Sequence, residues 1–333
     1  MVDEAARIVD RWSDGDVIDI SGEMKKLALA VVSQTLFGIS LAHEAMSVAS
    51  SVRTLCAALD RILDPRLWIT WAIPFTDNWR VIRAVHTLRR ISSNTVKARE
   101  SSAANESDLL GRLVVARQRG EVTTKQIRDE VTMMMIAGSD SSSEALSWAL
   151  YLLARHRSVQ EQLHAELDEI LVGERPSNAA VDALKYTRMV VLESLRLYPP
   201  IPFFDRKIGM EMSFGEYSVP AGSAIFVSPY LTHRDARFFA DPNSFNPDRW
   251  SNDGKQPAPH AFFPFSMGPR VCIGENFAMV EMILALATLT QHWRFELADE
   301  QAVVPEPQVV LRPKFGIRIV VRNRQTPHRK SDL

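Results

Sequence analysis

The sequence is poor in cysteine: only Cys56 and Cys272 occur among 333 residues. Two thiols cannot build a disulfide framework, a four-thiolate zinc site or an iron–sulfur cluster within one chain, and their scarcity favours a reducing compartment. The sequence also lacks an apolar run of the roughly 18–20 residues that a membrane-spanning helix needs, and its acidic N-terminus is unlike a signal peptide. We therefore expect a soluble protein of the cytoplasm.

An excess of charge of either sign is also missing, since 39 basic residues stand against 40 acidic ones. A chain so balanced has no overall attraction for nucleic acid or for an anionic membrane, and we expect neither as a partner. The sequence has no internal repeat and no low-complexity block. What it does have is a composition that is 46% hydrophobic, which is enough to bury a large core.

Two kinds of periodicity divide the chain. Up to about residue 200, apolar residues recur at spacings of three and four, as in 20–38, 78–98 and 158–171, which predicts helices. A further helix is expected to end at the double proline 199–200, because proline lacks the backbone N–H. Beyond it, 208–227 predicts two strands joined by a turn at 219–222, and 309–321 predicts two short strands. The predicted fold class is mainly α with a small β portion, an α+β fold.

One of the two cysteines lies in a loop rich in glycine and proline, FSMGPRVCIG, from Phe265 to Gly274. A lone cysteine is most often a small buried apolar residue. Here, however, the glycines let the backbone approach a flat ligand, Arg270 adds a cation, and N–H groups at the start of the next helix can face a thiolate. The surroundings of Cys272 therefore favour a thiolate metal ligand.

The spacing F-x-x-G-x-R-x-C-x-G of this loop resembles the haem-binding signature of the cytochrome P-450 family, and F-A-x-x-E follows it as in that family. The resemblance implies a haem b cofactor (iron protoporphyrin IX), with Cys272 as the proximal ligand of its iron. It also implies that Phe265 packs beside the thiolate, that Arg270 pairs with a haem propionate and that Gly274 allows close approach to the cofactor. One departure is Ser266, which stands where the family usually has glycine and is expected to alter the backbone angles slightly.

A second motif, AGSDSS at 137–142, lies in the middle of a long helix that is predicted to run from near Thr123 to about His156. Polar side chains in an apolar helix centre are costly unless they are hydrogen-bonded or used. The pattern alone favours a solvent-facing stripe of serines that bond to their own helix. It also resembles the distal acid–alcohol motif of the same family, with serine in place of the commoner threonine. That resemblance implies that Ala137 and Gly138 lie over the haem and that Asp140 and Ser141 relay protons to bound dioxygen.

A pair of the type E-x-x-R, Glu193 and Arg196, lies on one face of the helix before the double proline. Such pairs occur by chance, and on a surface they contribute only about 0–1 kcal/mol. By resemblance, Arg249 of FNPDRW joins them in a buried triad that locks the meander of residues 233–260 and supports the haem loop. Arg206 lies where the family often has a second arginine for a propionate; the alternative is an ordinary surface arginine.

The resemblance covers nearly the whole chain and implies one cytochrome P-450 domain, 1–333. Its helical part would be about 1–200, its β, meander and haem-loop part about 201–321, and its basic tail 322–333. It also implies that the N-terminal sub-domain of the family is missing, which puts haem retention and the capping of the substrate pocket in question. A membrane anchor, if one exists, would belong to that missing part.

The activity implied is that of a haem-thiolate monooxygenase that inserts one atom of dioxygen into an apolar small-molecule substrate. The chain has no flavin or iron–sulfur motif, so electrons would come from a separate ferredoxin or flavoprotein reductase. Apolar residues that would line the pocket, unless they are simply core, are Met133, Met134, Ile136, Ala137, Ile201 and Phe203. Two alternatives stay open: a haem enzyme of the same fold that uses peroxide or does not oxygenate, and a non-catalytic remnant that acts as a binding module.

Overall fold

The structure is a computed structural model that describes residues 1–63, 77–101, 107–251, 258, 260–299 and 303–324, without the side chains of 59–63, 77 and 78. Within these ranges the helices are α1 (Val2–Val9), α2 (Ile20–Phe37), α3 (Ala45–Leu63), α4 (Asp77–Ser101), α5 (Leu109–Gln118), α6 (Thr124–Arg155), α7 (Arg157–Leu171), α8 (Lys185–Leu197), α9 (Pro229–Thr232) and α10 (Glu275–Gln291). The predicted α+β class, with helices dominant, is confirmed. No helix among the described residues is long and apolar enough to cross a membrane.

Local signals set the ends of these helices close to where the sequence predicts them. Helix α2 stops at Gly38, whose φ of 68° is the left-handed conformation that glycine adopts without strain. Helix α6 starts with a capping box, in which the Thr123 side chain accepts from the backbone N–H of Gln126 and the Gln126 side chain accepts from that of Thr123. Helix α8 ends at Leu197, just before the double proline.

The strands are β1 (Val17–Asp19), β2 (Phe204–Lys207), β3 (Met212–Phe214), β4 (Tyr217–Val219), β5 (Ala224–Val227), β6 (Trp293–Leu297), β7 (Pro305–Pro307), β8 (Leu311–Pro313) and β9 (Arg318–Asn323). All pairs are antiparallel, in the sheets β1–β9–β6, β2–β5, β3–β4 and β7–β8. Among the residues that the structure describes, the small β portion thus forms four separate sheets on the helical body.

The predicted strand–turn–strand unit at 208–227 is arranged differently from the expectation. The hairpin is β3–β4, which turns at Gly215 with a φ of 59°, a conformation that suits a two-residue hairpin turn. The turn at 219–222 instead leads from β4 to β5, which pairs with β2. Both turns contain a glycine with positive φ, so the sequence did not indicate which of them closes a hairpin.

Helix α6 belongs to both apolar clusters of the described residues. Its N-terminal part packs with α2, α3, α4 and α5, and its C-terminal part packs with α7, α8, α10 and the sheet β1–β9–β6. The C-terminal part is anchored by Trp148, which is fully buried, stacks on Tyr198 at 4.0 Å between ring centroids and donates to the carbonyl of Leu311 at 3.0 Å. The polar residues 137–142 therefore lie where the two clusters meet.

The C-terminal strand extends slightly beyond the expected boundary of the basic tail. Strand β9 continues to Asn323, whose backbone N–H donates to Asp14 Oδ1 at 2.7 Å. The tail was predicted to begin at residue 322, two residues too early, because paired backbone continues there despite the basic side chains. Residues 325–333 of the predicted tail lie outside the described residues.

Candidate functional site

The loop around Cys272 presents its sulfur outwards. Cys272 is a free, exposed thiol, and all residues from 267 to 273 are exposed. The loop is closed at its base by a hydrogen bond from the backbone N–H of Cys272 to the carbonyl of Phe265, 2.9 Å. Gly274 caps α10, so the cysteine lies at the positive end of that helix dipole. The geometry suits a ligand that approaches the sulfur from outside.

A strained residue marks the departure from the resemblance. Ser266 has a φ of 64°, in the left-handed region that glycine prefers, and Gly268 has a similar φ of 65°. The backbone of the loop therefore keeps the conformation that a glycine would adopt, and the serine accommodates it at a cost. The expected slight change of backbone angles at Ser266 stays a prediction.

One cation lies in this loop and a second lies beside it. Arg270 is exposed and closes a short 3₁₀ turn, Gly268–Arg270. Arg206 is exposed on β2, lies over the ring of Phe204 at 4.7 Å and donates to Ser266 Oγ at 3.4 Å. The structure therefore puts Arg206 beside the loop, which the alternative of an ordinary surface arginine does not require.

The loop is supported from beneath by a histidine that sequence reasoning missed. The ring nitrogen Nε2 of His233 accepts from the backbone N–H of Phe263, 3.0 Å, two residues before Phe265. Burial lowers the pKa of His233 to about 3, so its ring stays neutral and Nε2 remains an acceptor over the physiological range. The only signal in the sequence was a histidine within the meander.

Glu193 and Arg196 form a fully buried pair, with 2.8 Å between Arg196 Nη2 and Glu193 Oε1. Arg249 approaches the same carboxylate at 3.5 Å, so the structure brings the three members of the predicted triad together. Trp250 Nε1 and the backbone N–H of Asn246 donate to the same carboxylate at 2.9 and 3.1 Å. Every oxygen of Glu193 is thus occupied by residues of the meander or of α8.

The guanidinium of Arg196 also binds backbone carbonyls of the meander. Its remaining N–H groups donate to the carbonyls of His233, Pro242 and Ser244 at 2.7 to 2.9 Å. Because His233 in turn holds Phe263, one set of hydrogen bonds runs from α8 to the loop that carries Cys272.

Both distal residues of α6 are hydrogen-bonded, and they differ in burial. Ser141 is half-buried, and its hydroxyl donates to the carbonyl of Ala137 at 2.6 Å. Asp140 is 7% exposed, and its Oδ2 accepts from Arg312 Nη2 at 2.7 Å. The solvent-facing stripe that the pattern alone favours is therefore wrong for Asp140, although serine bonding to its own helix does occur. No hydrogen bond among the described residues joins these side chains to the loop of Cys272.

Arg312 is the centre of a buried charge cluster that the sequence did not reveal. Besides Asp140, it approaches Glu144 Oε1 at 4.0 Å and Cys56 Sγ at 3.7 Å. Lys25 lies 3.2 Å from the same Glu144 oxygen. Burial raises the pKa of Glu144, while the charge of Lys25 opposes that shift. The signal available was an arginine inside the short apolar strand β8, but nothing local indicated its partner 172 residues away.

Part of α6 next to these residues is uncovered. Ala137 is exposed, Gly138 is half-buried and Met133 is 51% exposed, although each lies in the middle of the helix. Phe277, in the first turn of α10, packs against the same apolar cluster as Met134 and Ile136. The start of the helix after Cys272 and the centre of α6 therefore meet. Ile201 is half-buried and Phe203 is 36% exposed, so these two residues predicted to line a pocket are not part of the buried core.

The described residues fit a haem in their chemistry. An accessible thiol is present at Cys272, and Arg270 and Arg206 offer charges for two propionates. The apolar side chains of Val271 and Ile273 are 47% and 99% exposed, which is unusual for such residues unless a ligand or protein surface covers them. A flat apolar ligand with two carboxylates complements this combination.

Comparisons with known proteins agree with this assignment. A model of the family described as cytochrome P-450 matches residues 2–320. Similar proteins include cyclooctat-9-en-7-ol 5-monooxygenase of Streptomyces melanosporofaciens, 33% identical over 88% of this chain and 65% of the relative. The mitochondrial 25-hydroxyvitamin D-1 alpha hydroxylase of Mus musculus is 32% identical over 92% and 64%. Pentalenene oxygenase of Streptomyces avermitilis is 30% identical over 91% and 66%. The chain spans about two thirds of the length of these curated relatives.

We predict that Arg196→Met destabilises the protein by about 3–5 kcal/mol, because it leaves the buried Glu193 carboxylate without its main counter-charge. Arg188→Met, at an exposed position of the same helix, is the matched control and should change the free energy of unfolding by less than about 0.5 kcal/mol. Urea unfolding followed by circular dichroism measures both. Equal effects of the two substitutions would contradict a special role of the buried pair.

We predict that Ser266→Gly stabilises the protein by about 1 kcal/mol, because glycine adopts the observed positive φ without the clash of a Cβ atom. Ser266→Ala keeps that clash and, like the glycine variant, loses the contact with Arg206. The difference in urea midpoint between the two variants therefore isolates the backbone term. An alanine variant as stable as the glycine variant would show that the loop carries no strain here.

Proposed function

This chain belongs to the cytochrome P-450 family, and we propose that it is a haem-thiolate monooxygenase that inserts one atom of dioxygen into an apolar organic substrate. Members of the family carry haem b. The observation that carries the proposal is the exposed thiol of Cys272 at the N-terminal end of α10, on a loop that contains the exposed Arg270 and lies beside the exposed Arg206. Two relatives are named as a monooxygenase and an oxygenase, which supports oxygen insertion as the reaction.

The residues that would hold the cofactor lie on the loop and on β2. Cys272 would ligate the iron, Phe265 would pack beside the sulfur, and Gly274 would keep the space next to it open, since a Cβ atom there would lie 3.8 Å from Sγ. Arg270 and Arg206 would each pair with a propionate. When bound, the haem supplies the dioxygen chemistry, in which one oxygen atom goes to the substrate and the other becomes water, and a thiolate ligand favours O–O cleavage.

On α6, Ala137 and Gly138 would leave room over the cofactor, because both are small and neither is fully covered. The hydroxyl of Ser141, held by the carbonyl of Ala137, would be the last group to hold a proton before dioxygen. Asp140 would pass a proton to that hydroxyl. The hydrogen bond from Arg312 would hold the Asp140 carboxylate in place during this transfer. These assignments are proposals that rest on the positions of the side chains along one helix.

The remaining expectations follow from composition and from the family. We propose an apolar substrate, since the uncovered side chains around α6 are apolar and small-molecule sites are mostly apolar. Electrons would come from a separate ferredoxin or flavoprotein reductase. A content of only two cysteines agrees with a cytoplasmic location, and residues 1–333 would form one domain.

The absorption spectrum of the purified protein, reduced and exposed to carbon monoxide, tests the proposal. We expect the thiolate-type Soret shift when haem is supplied during expression, and its loss in Cys272→Ser. Cys56→Ser is the control, since that thiol is buried against Arg312, and it should keep the shift. A colourless protein would support the non-catalytic remnant, and an unchanged spectrum in Cys272→Ser would contradict the ligand assignment.

We further predict that Asp140→Asn lowers turnover with a reductase and NAD(P)H by about 10²-fold or more, because a positioned proton donor typically contributes at least that much. Peroxide-supported turnover should fall much less, since peroxide brings its own protons and electrons. Asp129→Asn, at an exposed position of the same helix, is the control. An equal loss with both oxidants would mean that the substitution only weakens the fold, and no reductase-dependent turnover in the parent protein would favour the peroxide-using alternative.

A further inference from the structure

The centre of α6 carries five serines between residues 139 and 147, and their hydroxyls behave in two ways. Four bond to carbonyls of their own helix at 2.6 to 2.8 Å: Ser139, Ser141, Ser143 and Ser147. The fifth, Ser142, leaves its helix and bonds to Glu281 Oε2 on α10 at 2.7 Å, 139 residues further along the chain. Serine in a helix bonds readily to its own backbone, so a single exception points to a specific partner.

That partner is a carboxyl group in an unusual place. Glu281 is 0% exposed, no salt bridge to it occurs among the described residues, and its Oε1 has no hydrogen-bond partner there. Burial raises the pKa of Glu281 to about 8, while the bond to Ser142 and the α-amino charge of Met1, on the neighbouring α1, act in the opposite direction. At neutral pH, Glu281 is therefore a neutral carboxylic acid inside the core.

A buried acid without a counter-charge is costly, and an apolar side chain of the same size would fill its place more cheaply. The contact therefore gives little net stability for what it costs. The contact is directional, however, because it joins one buried hydroxyl and one buried carboxyl on two different helices.

The position of the contact along both helices is informative. Ser142 directly follows Asp140 and Ser141, which are proposed to act on the distal side. Glu281 lies in the second turn of α10, which begins three residues after Cys272. The Ser142–Glu281 bond thus joins the helix that carries the distal residues to the helix that starts behind the thiolate loop.

We infer that the hydrogen bond between Ser142 and Glu281 is a positioning contact, which sets the spacing between the distal residues of α6 and the loop of Cys272. The inference rests on the proposed function, in which both sides face one haem. Neither residue has to transfer a proton or touch the substrate. Their task is to hold two helices at one separation by a short directional bond, where apolar packing alone tolerates small shifts.

The contact itself is tested without haem, by a double-mutant cycle on the full chain with Ser142→Ala, Glu281→Met and the double variant. We expect a coupling of about threefold to tenfold in the unfolding equilibrium constant, the range of one net hydrogen bond. The matched control replaces Ser142→Ala by Ser143→Ala, because Ser143 is equally buried but bonds to its own helix. A coupling under twofold, or one as large in the control, overturns the inference.

The charge state is tested by the pH dependence of unfolding. The folded-state pKa of Glu281 is raised above its ordinary value of about 4.3, so the unfolded chain loses the proton first. The contribution of Glu281 to stability should be fully present below about pH 4. Between about pH 4 and pH 8 this contribution should be lost, and the unfolding equilibrium constant should rise by up to tenfold per pH unit. Glu281→Gln, which keeps the shape and an acceptor for Ser142, should remove this slope. An identical slope in Glu281→Gln would show that the carboxyl is not the titrating group.

The positioning role is tested by measurements that a loss of stability alone would not change. In haem-loaded protein we expect Ser142→Ala and Glu281→Met to lower the fraction of the carbon monoxide complex with a thiolate-type Soret band, and to weaken imidazole binding severalfold. Glu281→Gln should restore both, even if Glu281→Met is the more stable protein. Spectra and affinities that follow stability alone would reduce the contact to packing. If the parent chain binds no haem, the proposed function fails, whereas a positive coupling in the unfolding cycle would still stand.

Discussion

The constraint on which the rest of the site depends is the burial of one guanidinium. Arg196 is fully buried. Its guanidinium has five N–H donors and keeps its positive charge, because arginine is not deprotonated in proteins. Each donor finds an acceptor: two bond to Glu193, and three bond to carbonyls of the meander. Because every one of these carbonyls must stay in reach, the irregular segment after β5 can adopt only a narrow set of paths across α8.

The same constraint extends to the cysteine loop through His233. Its carbonyl accepts from Arg196, and its ring accepts from Phe263, so a shift of the meander would be felt two residues before Phe265. The ring can hold this contact at any physiological pH, since burial keeps it neutral. The loop is therefore fixed from below by groups that never touch a ligand. That is the arrangement a metal ligand needs, because a thiolate is useful only at one position and in one direction.

Whether a feature of the structure could be predicted depends on how far apart in the sequence its residues lie. Helix ends at Gly38 and Thr123 and the composition of the cysteine loop are local, so they could be predicted from a few neighbouring residues. The partner of Asp140 could not, because Arg312 arrives from a strand 172 residues away, and a lone arginine in an apolar strand has many candidate partners. The hairpin at Gly215 was misassigned for a related reason: two glycine turns compete locally, and only the pairing of β5 with β2 decides between them. Likewise, five serines look alike in the sequence, and only the approach of α10 singles out Ser142.

The cysteine loop is thus held by hydrogen bonds on its inner side and is exposed on its outer side. The two sides have different physical properties. Below the loop, polar groups are matched one to one, which fixes geometry at the expense of desolvation. Above it, Val271 and Ile273 remain exposed, so nothing among the described residues covers them. A ligand that covers apolar surface gains about 25 cal/mol for each Å² removed from water, and a loop that is already ordered loses little conformational entropy when it binds. Affinity for a flat apolar cofactor would therefore come from the outer side chains, and its orientation from the buried bonds beneath them.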